Sequence, residues 1–356
     1  MIETVSSTHK SIMLAIRQAA TLYLFEKGRE NDIPKVIDNF LPLDNYQGNR
    51  VPVVDVVKEV HILSDVLQDN YLGLKLNILV DIESLPFYKA VSDCIRPFNE
   101  TMNKLPFLLV CRIVRFFFFL ITQSISVVIT AEKESIRFDF ISSVTERMSK
   151  NQIDGAMILI YRVMEAFHPD ILKKVYISHR NTPYEKECYL STFGVPIEFS
   201  DTTSLVYNLQ CKNHYKNAAG LLVKSEEDVG KRFFVNSLFN IVSAEFPEMS
   251  YEARCEMIID TMMGVSLPTR SYVAQSMNIS VSTLKRKLYE ENTSFQEILD
   301  KVRKRLVEKY LKEKQLSTTD IAYLLGYKSH SQFFKAFKLW FGMTPKSYQK
   351  FISKHE

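Results

Sequence analysis

The chain has 356 residues, 46% of them hydrophobic and 24% charged, with a net charge of +4. That length predicts two domains, and the apolar fraction is ordinary for a globular protein with a sizeable core. The five cysteines, Cys94, Cys111, Cys188, Cys211 and Cys255, are scattered and never spaced as CxxC, which argues against a disulfide framework or a zinc site and fits a reducing compartment.

Residues 10–28 space their apolar side chains as an amphipathic helix ending at Gly28, with no basic start and apolar core of a signal peptide. Residues 33–45, with Pro34, Pro42 and Asn45, predict a short helix and loops. Residues 52–68 have helical spacing, and Asp69-Asn70-Tyr71-Leu72-Gly73-Leu74 ends that helix. NILVDI at 77–82 is strand-like. The longest apolar run, Leu105 to Ser126, is interrupted by Arg112, Arg115 and Gln123. Two arginines in mid-span are costly in a bilayer, so a buried helix over 103–120 leading into a strand is expected, and no membrane segment.

VVIT at 127–130 and SIRFDFI at 135–141 predict two strands joined by the polar AEKE turn. A helix over 151–166, a strand over 173–179 and a short helix over 184–194, closed by Gly194, follow. VPIEF at 195–199 and SLVYNL at 204–209 predict strands around the turn SDTT. The aromatics Phe116 to Phe119, Phe138, Phe140, Tyr161 and Tyr189 are expected in the core rather than around a ligand. Residues 210–227 turn polar. A helix over 226–245 then carries Val229, Phe233, Phe234, Leu238 and Ile241; it joins the domains, pairs with its copy in a homodimer, or packs on its own domain. Phe246 to Ser250 breaks it. The expected organisation is a mixed α+β domain over 1–225, a connecting helix over 226–249 and an all-α domain over 250–356.

Tyr251 to Met263 predicts the first helix of that last domain. In 273–295, VAQSMNISVSTLKRKLYEENTSF, Val273, Ala274 and Met277 pack a first short helix and Asn278-Ile279 make a turn. Ser280 caps the second helix, whose Leu284 and Leu288 face inward, with Ser282, Lys285 and Arg286 opposite. Phe295 to Tyr310 lacks Gly and Pro and forms a rigid helix of roughly 25 Å.

Asp320 to Tyr348 repeats the pattern. Ile321, Leu324 and Leu325 make one apolar face, Gly326 ends the helix, and Ser329 caps the next. Phe333, Ala336, Phe337 and Trp340 form its stripe, Gly342 ends it and Pro345 blocks continuation. His330, Ser331, Phe334, Lys335 and Lys338 lie off the stripe. From Leu267 to Glu356 there are 17 Lys and Arg against 8 Asp and Glu, a net of +9, which leaves −5 for the residues before. A basic piece built of helix-turn-helix units, joined to an acidic one, is the electrostatic footprint of a module for the DNA major groove.

The spaced positions IA at 321–322, LG at 325–326, Tyr327, FxxAF at 333–337, Gly342, Thr344, Pro345 and Tyr348 resemble the AraC-type family of bacterial transcription regulators. Residues 273–295 resemble that family's first helix-turn-helix, with Asn292 where the family often has Gly; Asn is the next-best left-handed helix end. The DxxxGL patch at 69–74 and the strand, helix, FG-VP-strand, strand order resemble, more loosely, the sensor domain of one AraC-type subgroup with an arabinose-binding-like N-terminal domain. The resemblance implies a cytoplasmic, DNA-binding transcription regulator, such as an activator, with double-stranded DNA and RNA polymerase as partners. It also implies a small effector bound in the N-terminal domain. It puts Ser282, Lys285 and Arg286 at base-contacting positions, with Thr283 and Lys287 nearer phosphates. The matching positions in the second unit are His330, Ser331, Gln332, Phe334 and Lys335. Phe334 either presses on a thymine methyl or packs inward. Lys301, Arg303, Lys304 and Arg305 are expected near phosphates.

No catalytic motif stands out. No cysteine follows a proline, GxSxG and HExxH are absent, and ten glycines leave little for a nucleotide-cradling loop. An enzyme fused to a DNA-binding domain is therefore disfavoured, and no cofactor is expected. A regulator without effector, tuned by abundance or a protein partner, stays open.

Overall fold

The computed structural model describes residues 6–101, 107–131, 134–142, 148–178, 183–208, 248–263, 268–313 and 317–352. The chain divides into two compact units, Met1–Ser92 with Cys111–Gln210, and Asp93–Val110 with Cys211–Glu356. The connecting helix expected over 226–249 lies outside the described residues, save its last two positions.

The first unit opens with a feature too short for sequence patterns to mark. Strand β1 (Ser7–His9) pairs antiparallel with β2 (Arg50–Pro52), and Thr8 also bridges Thr122. Helix α1 (Lys10–Glu26) follows, its N-terminus capped by the His9 ring, and Gly28 leaves it at φ +63°. The short α2 (Ile33–Ile37) precedes α3 (Val53–Leu67), α4 (Leu72–Leu79), α5 (Pro86–Thr101) and α6 (Phe107–Phe117).

One expectation is overturned here. Asn77 to Leu79 of the strand-like NILVDI lie in α4, and Ile82 falls in a single 3₁₀ turn. The cause is tertiary. Leu72, Leu74 and Leu76 are almost completely buried. Asn77 donates its amide back to the Gly73 carbonyl at 2.8 Å, and Arg162 donates to the terminal carbonyls of Asn77 and Val80 at 2.8 and 2.5 Å. Those are acceptors a helix end leaves open.

A five-stranded sheet has the order β3-β4-β7-β5-β6. Its strands are β3 (Ile125–Ala131), β4 (Ser135–Ser142), β5 (Leu172–Ile177), β6 (Ile197–Phe199) and β7 (Thr203–Asn208). β3 and β4 pair antiparallel as expected, and β4 alternates, with Ile136, Phe138 and Phe140 buried. β6 and β7 are both present but are not neighbours: β7 sits between β4 and β5, and β6 runs parallel on the edge of β5.

Helix α7 (Lys150–Phe167) starts with a Ser149–Gln152 capping box and buries every residue from Asp154 to Ile160. Helix α8 (Pro183–Phe193) ends at Gly194, φ +66°. Its Tyr189 hydroxyl donates to the buried Asp154 carboxylate at 2.7 Å. The aromatics Phe117, Phe118, Phe138, Phe140 and Tyr189 are buried. No described helix is long and apolar enough to cross a membrane. Cys94, Cys111, Cys188 and Cys255 are free thiols, and all but Cys188 are buried.

In the second unit the described C-terminal helices are α9 (Tyr251–Met262), α10 (Arg270–Ser276), α11 (Val281–Glu290), α12 (Phe295–Glu313), α13 (Thr318–Leu324), α14 (His330–Phe341) and α15 (Pro345–Ile352). Pro345 does end the previous pattern, but it also opens α15, where a missing N–H costs nothing.

Candidate nucleic-acid interface

Two helix-turn-helix units build the site, and the same backbone device shapes the turn of each. After α10, Asn278 takes φ +52° and Ile279 N–H donates to Ala274 carbonyl at 3.1 Å. After α13, Gly326 takes φ +75° and Tyr327 N–H donates to Ala322 carbonyl at 3.0 Å. A left-handed residue followed by this long bond is the Schellman end, which frees the chain to turn sharply. A third copy closes α11: Asn292 takes φ +56°, and Thr293 N–H donates to Leu288 carbonyl at 2.9 Å. Asn292 thus does the work expected of it.

Each second helix begins with a serine cap. Ser280 Oγ accepts from Thr283 N–H at 3.0 Å, and Ser329 Oγ accepts from Gln332 N–H at 3.3 Å. In α11, Leu284 and Leu288 are buried, which turns Ser282, Lys285 and Arg286 to solvent. Arg286 is 66% exposed and, among the described residues, pairs with Glu290 at 3.6 Å. Thr283 is half-buried and shares its hydroxyl with Ser280 at 2.8 Å. Lys287 pairs with Glu290 at 3.2 Å and lies over the Tyr251 ring, drawn toward its own domain.

In α14, Phe333 and Phe337 are buried in a cluster with Val307, Leu311, Ile321, Ala322 and Leu325. Ser331, Gln332, Lys335 and Lys338 are exposed. Phe334 is half-buried and packs on that cluster, its ring 4.1 Å from the His330 ring and 5.9 Å from Phe333. His330 Nε2 lies 3.2 Å from Thr318 Oγ1, which ties α14 to the start of α13. His330 and Phe334 therefore lean inward, whereas Ser331, Gln332 and Lys335 form the open face.

Tyr289 was not among the expected residues. It is 80% exposed and stands three and four positions beyond Arg286 and Lys285, so it extends their face by one turn. Helical spacing alone marks it.

The linker helix α12 corrects the expectation that Arg303 lines phosphates, while Lys301 and Arg305 are ion-paired yet remain 56% and 53% exposed. It is 19 residues long, roughly 28 Å at the usual helical rise. Lys301 pairs with Glu252 at 3.3 Å and Glu256 at 2.8 Å, and Arg305 with Glu256 at 2.7 Å and Asp260 at 2.8 Å. Those acids all lie on α9. Arg303 is buried, donates to the Leu325 carbonyl at 2.9 Å and stacks 4.4 Å over the Tyr327 ring. These cations fasten α12 to α9 on one side and to the second turn on the other. Lys304 alone of the four is exposed without a described ion pair.

The domain is closed by Glu291, whose carboxylate accepts from Tyr251 and Glu252 N–H at 2.8 and 2.6 Å and so caps α9 from the end of α11. Burial pushes the Tyr327 phenol up to about 12, against the pull of Arg303. Burial, then the bond to Glu308, does the same for Tyr348. Neither group titrates near neutrality.

The family described as a helix-turn-helix domain matches residues 273–350. The ornithine utilization regulator of Pseudomonas aeruginosa is 39% identical over 83 residues, 23% of this chain and 24% of that protein. The porin thermoregulatory protein EnvY of Escherichia coli is 41% identical over 76 residues, 21% of this chain and 30% of that protein. The match thus spans less than a third of either relative. The solved structure of the transcriptional regulator CdpR from Pseudomonas aeruginosa aligns over 82% of this chain and 91% of that one, at 16% identity and a TM-score of 0.35.

Proposed function

Given that its C-terminal segment is a helix-turn-helix domain of the AraC type, we propose that this chain is a sequence-specific, double-stranded-DNA-binding transcription regulator. One observation carries the reading. Two serine-capped helices, each buried along one stripe, expose unlike polar and basic faces from a single rigid linker.

In α11, Arg286 pairs with guanine O6 and N7, Lys285 reaches guanine or phosphate, and Ser282 takes a base edge. Tyr289 lies against the backbone beside them. In α14, Gln332 pairs with adenine, while Ser331 and Lys335 contact bases or phosphates. His330 and Phe334 hold that helix in place, and Phe334 offers one ring edge to a thymine methyl. Phosphate contacts fall to Lys304, Lys338, the α11 N-terminal turn with Thr283, and the exposed, ion-paired Lys301 and Arg305, whereas Arg303 is buried inside the domain. The linker length suits two helices set in successive major grooves about one turn apart, ~34 Å. As the units differ in sequence, one chain reads an asymmetric site.

Control of this domain by a small effector held in the N-terminal unit is the second half of the proposal. It is favoured over an effector-free regulator by the cavity described below. RNA polymerase and a second copy of the chain are the protein partners this reading brings with it, and the cytoplasm its location.

The test is a salt titration of the full chain on a duplex selected from a random library. With several phosphate contacts, affinity falls about a hundredfold or more between 50 and 200 mM salt. A flat response, or no duplex enriched over random sequence, defeats the reading.

A further inference from the structure

The geometry points to a ligand site inside the first unit, built for an uncharged, largely hydrophobic small molecule. This inference rests on the proposed effector control and gives it a place and a chemistry. The cavity lies among α1, α3, α4 and α7, beside the Thr8–Thr122 bridge, and opens to the surface on one side.

Its wall is mainly aliphatic. Ile12, Ile16, Val60, Leu63, Leu76 and Leu159 are typical of it. None of the aromatics expected in the core lines it, so it is a separate space. One charged residue reaches the lining, Glu59, and it is neutralised. Arg17 donates to its two oxygens at 2.8 and 2.6 Å, and Leu41 N–H donates at 3.0 Å. Glu59 is 2% exposed, so the pair is dry. Among the described lining residues a ligand anion would find no cation, and a ligand cation would have to compete with Arg17 for Glu59.

Most polar lining groups are likewise engaged. Thr8 and Thr122 hydroxyls bond each other at 3.1 Å. Asn151 accepts from Gly73 N–H at 3.0 Å and donates to Ser64 Oγ at 3.0 Å. Asn77 is different. Its amide nitrogen is held by the Gly73 carbonyl at 2.8 Å, and among the described bonds none occupies its side-chain oxygen, an acceptor for a ligand N–H or O–H. The site therefore calls for an apolar body with a neutral hydrogen-bonding group.

The probe pair for the test is phenylnaphthylamine, neutral with one N–H, and anilinonaphthalene sulfonate, the same ring framework with an anionic group. The full chain should bind phenylnaphthylamine at one per chain with enhanced, blue-shifted fluorescence. The sulfonate should bind about tenfold or more weakly, as an unpaired charge against an aliphatic wall requires. Val60→Trp and Ile16→Trp, both at half-buried lining positions, should abolish probe binding while the circular dichroism melt stays cooperative. Equal binding of the two probes overturns the neutral-ligand inference, and unchanged binding by both folded tryptophan variants overturns the location. Salt-sensitive duplex binding, measured on the same samples, separates the two readings. If the probe fails while duplex binding persists, the cavity inference falls alone. If duplex binding fails while the probe binds, the regulator reading falls and the cavity stands.

Discussion

Arg286 and Arg303 are the same residue type seventeen positions apart, and their surroundings give them opposite work. Arg303 is buried, with the Leu325 carbonyl and the Tyr327 ring as partners. Arg286 is 66% exposed, and its contact with Glu290 at 3.6 Å is a surface pair worth little. Its guanidinium is free to turn to a base at small cost. Arg286→Ala should weaken binding to the selected site by ~1–3 kcal/mol and relax one base position, leaving the melt unchanged; quantitative selection on the variant reads both. The cap serines and Asn292 were legible because caps are local: the residue and its next few neighbours decide them. The roles of Lys301 and Arg305 were not, because the acids that take them lie on α9, some 45 to 49 residues earlier in sequence. A Cβ at Gly73 would fall on the Asn151 backbone, so Gly73→Ala must push α4 off α7. Overpacking of that kind costs about 1–3 kcal/mol, to be read as a lowered urea midpoint at unchanged slope.

At the scale of elements, what could be read followed from periodicity. α1, α3, α7, α11 and α14 each carry enough turns to show an apolar stripe, and β4 alternates cleanly. β1 and β2 are three residues each and show no pattern. NILVDI misled because its pattern is inverted, the polar Asn77 buried and the apolar Ile78 exposed; Arg162, 82 and 85 residues from the carbonyls it binds, decides it. The pairing of α9 with α12 gives a pH test. Burial works to raise the Glu256 carboxyl, but the bonds and charges of Lys301 and Arg305 outweigh it and hold it below its usual value. A lowered folded value means the stabilisation is complete above the ordinary glutamate range, about pH 4.3, and is lost as pH falls through the folded value. Glu256→Gln should therefore melt lower than the parent near neutrality and converge with it below about pH 4. A constant gap at every pH would show that the carboxylate charge is not what holds α12 to α9.

For the whole molecule, the charge asymmetry points to the division of labour: a net of +9 from Leu267 onward and −5 before it. The basic surplus is not spread evenly. On α12, Arg303 is buried and Lys301 and Arg305 are ion-paired at the surface, while α11 and α14 expose Lys285, Arg286, Lys335 and Lys338. The account stands on those two unlike helices entering successive major grooves from one linker. The most direct measurement is a hydroxyl-radical footprint of the full chain on its selected duplex, repeated with Arg286→Ala and Lys335→Ala. Two protected tracts of unlike sequence should appear on one face, about one helical turn, ~10 base pairs, apart. Each substitution should erase protection in a different tract. A single tract, an inverted pair of identical tracts, or loss of the same tract in both variants would contradict it.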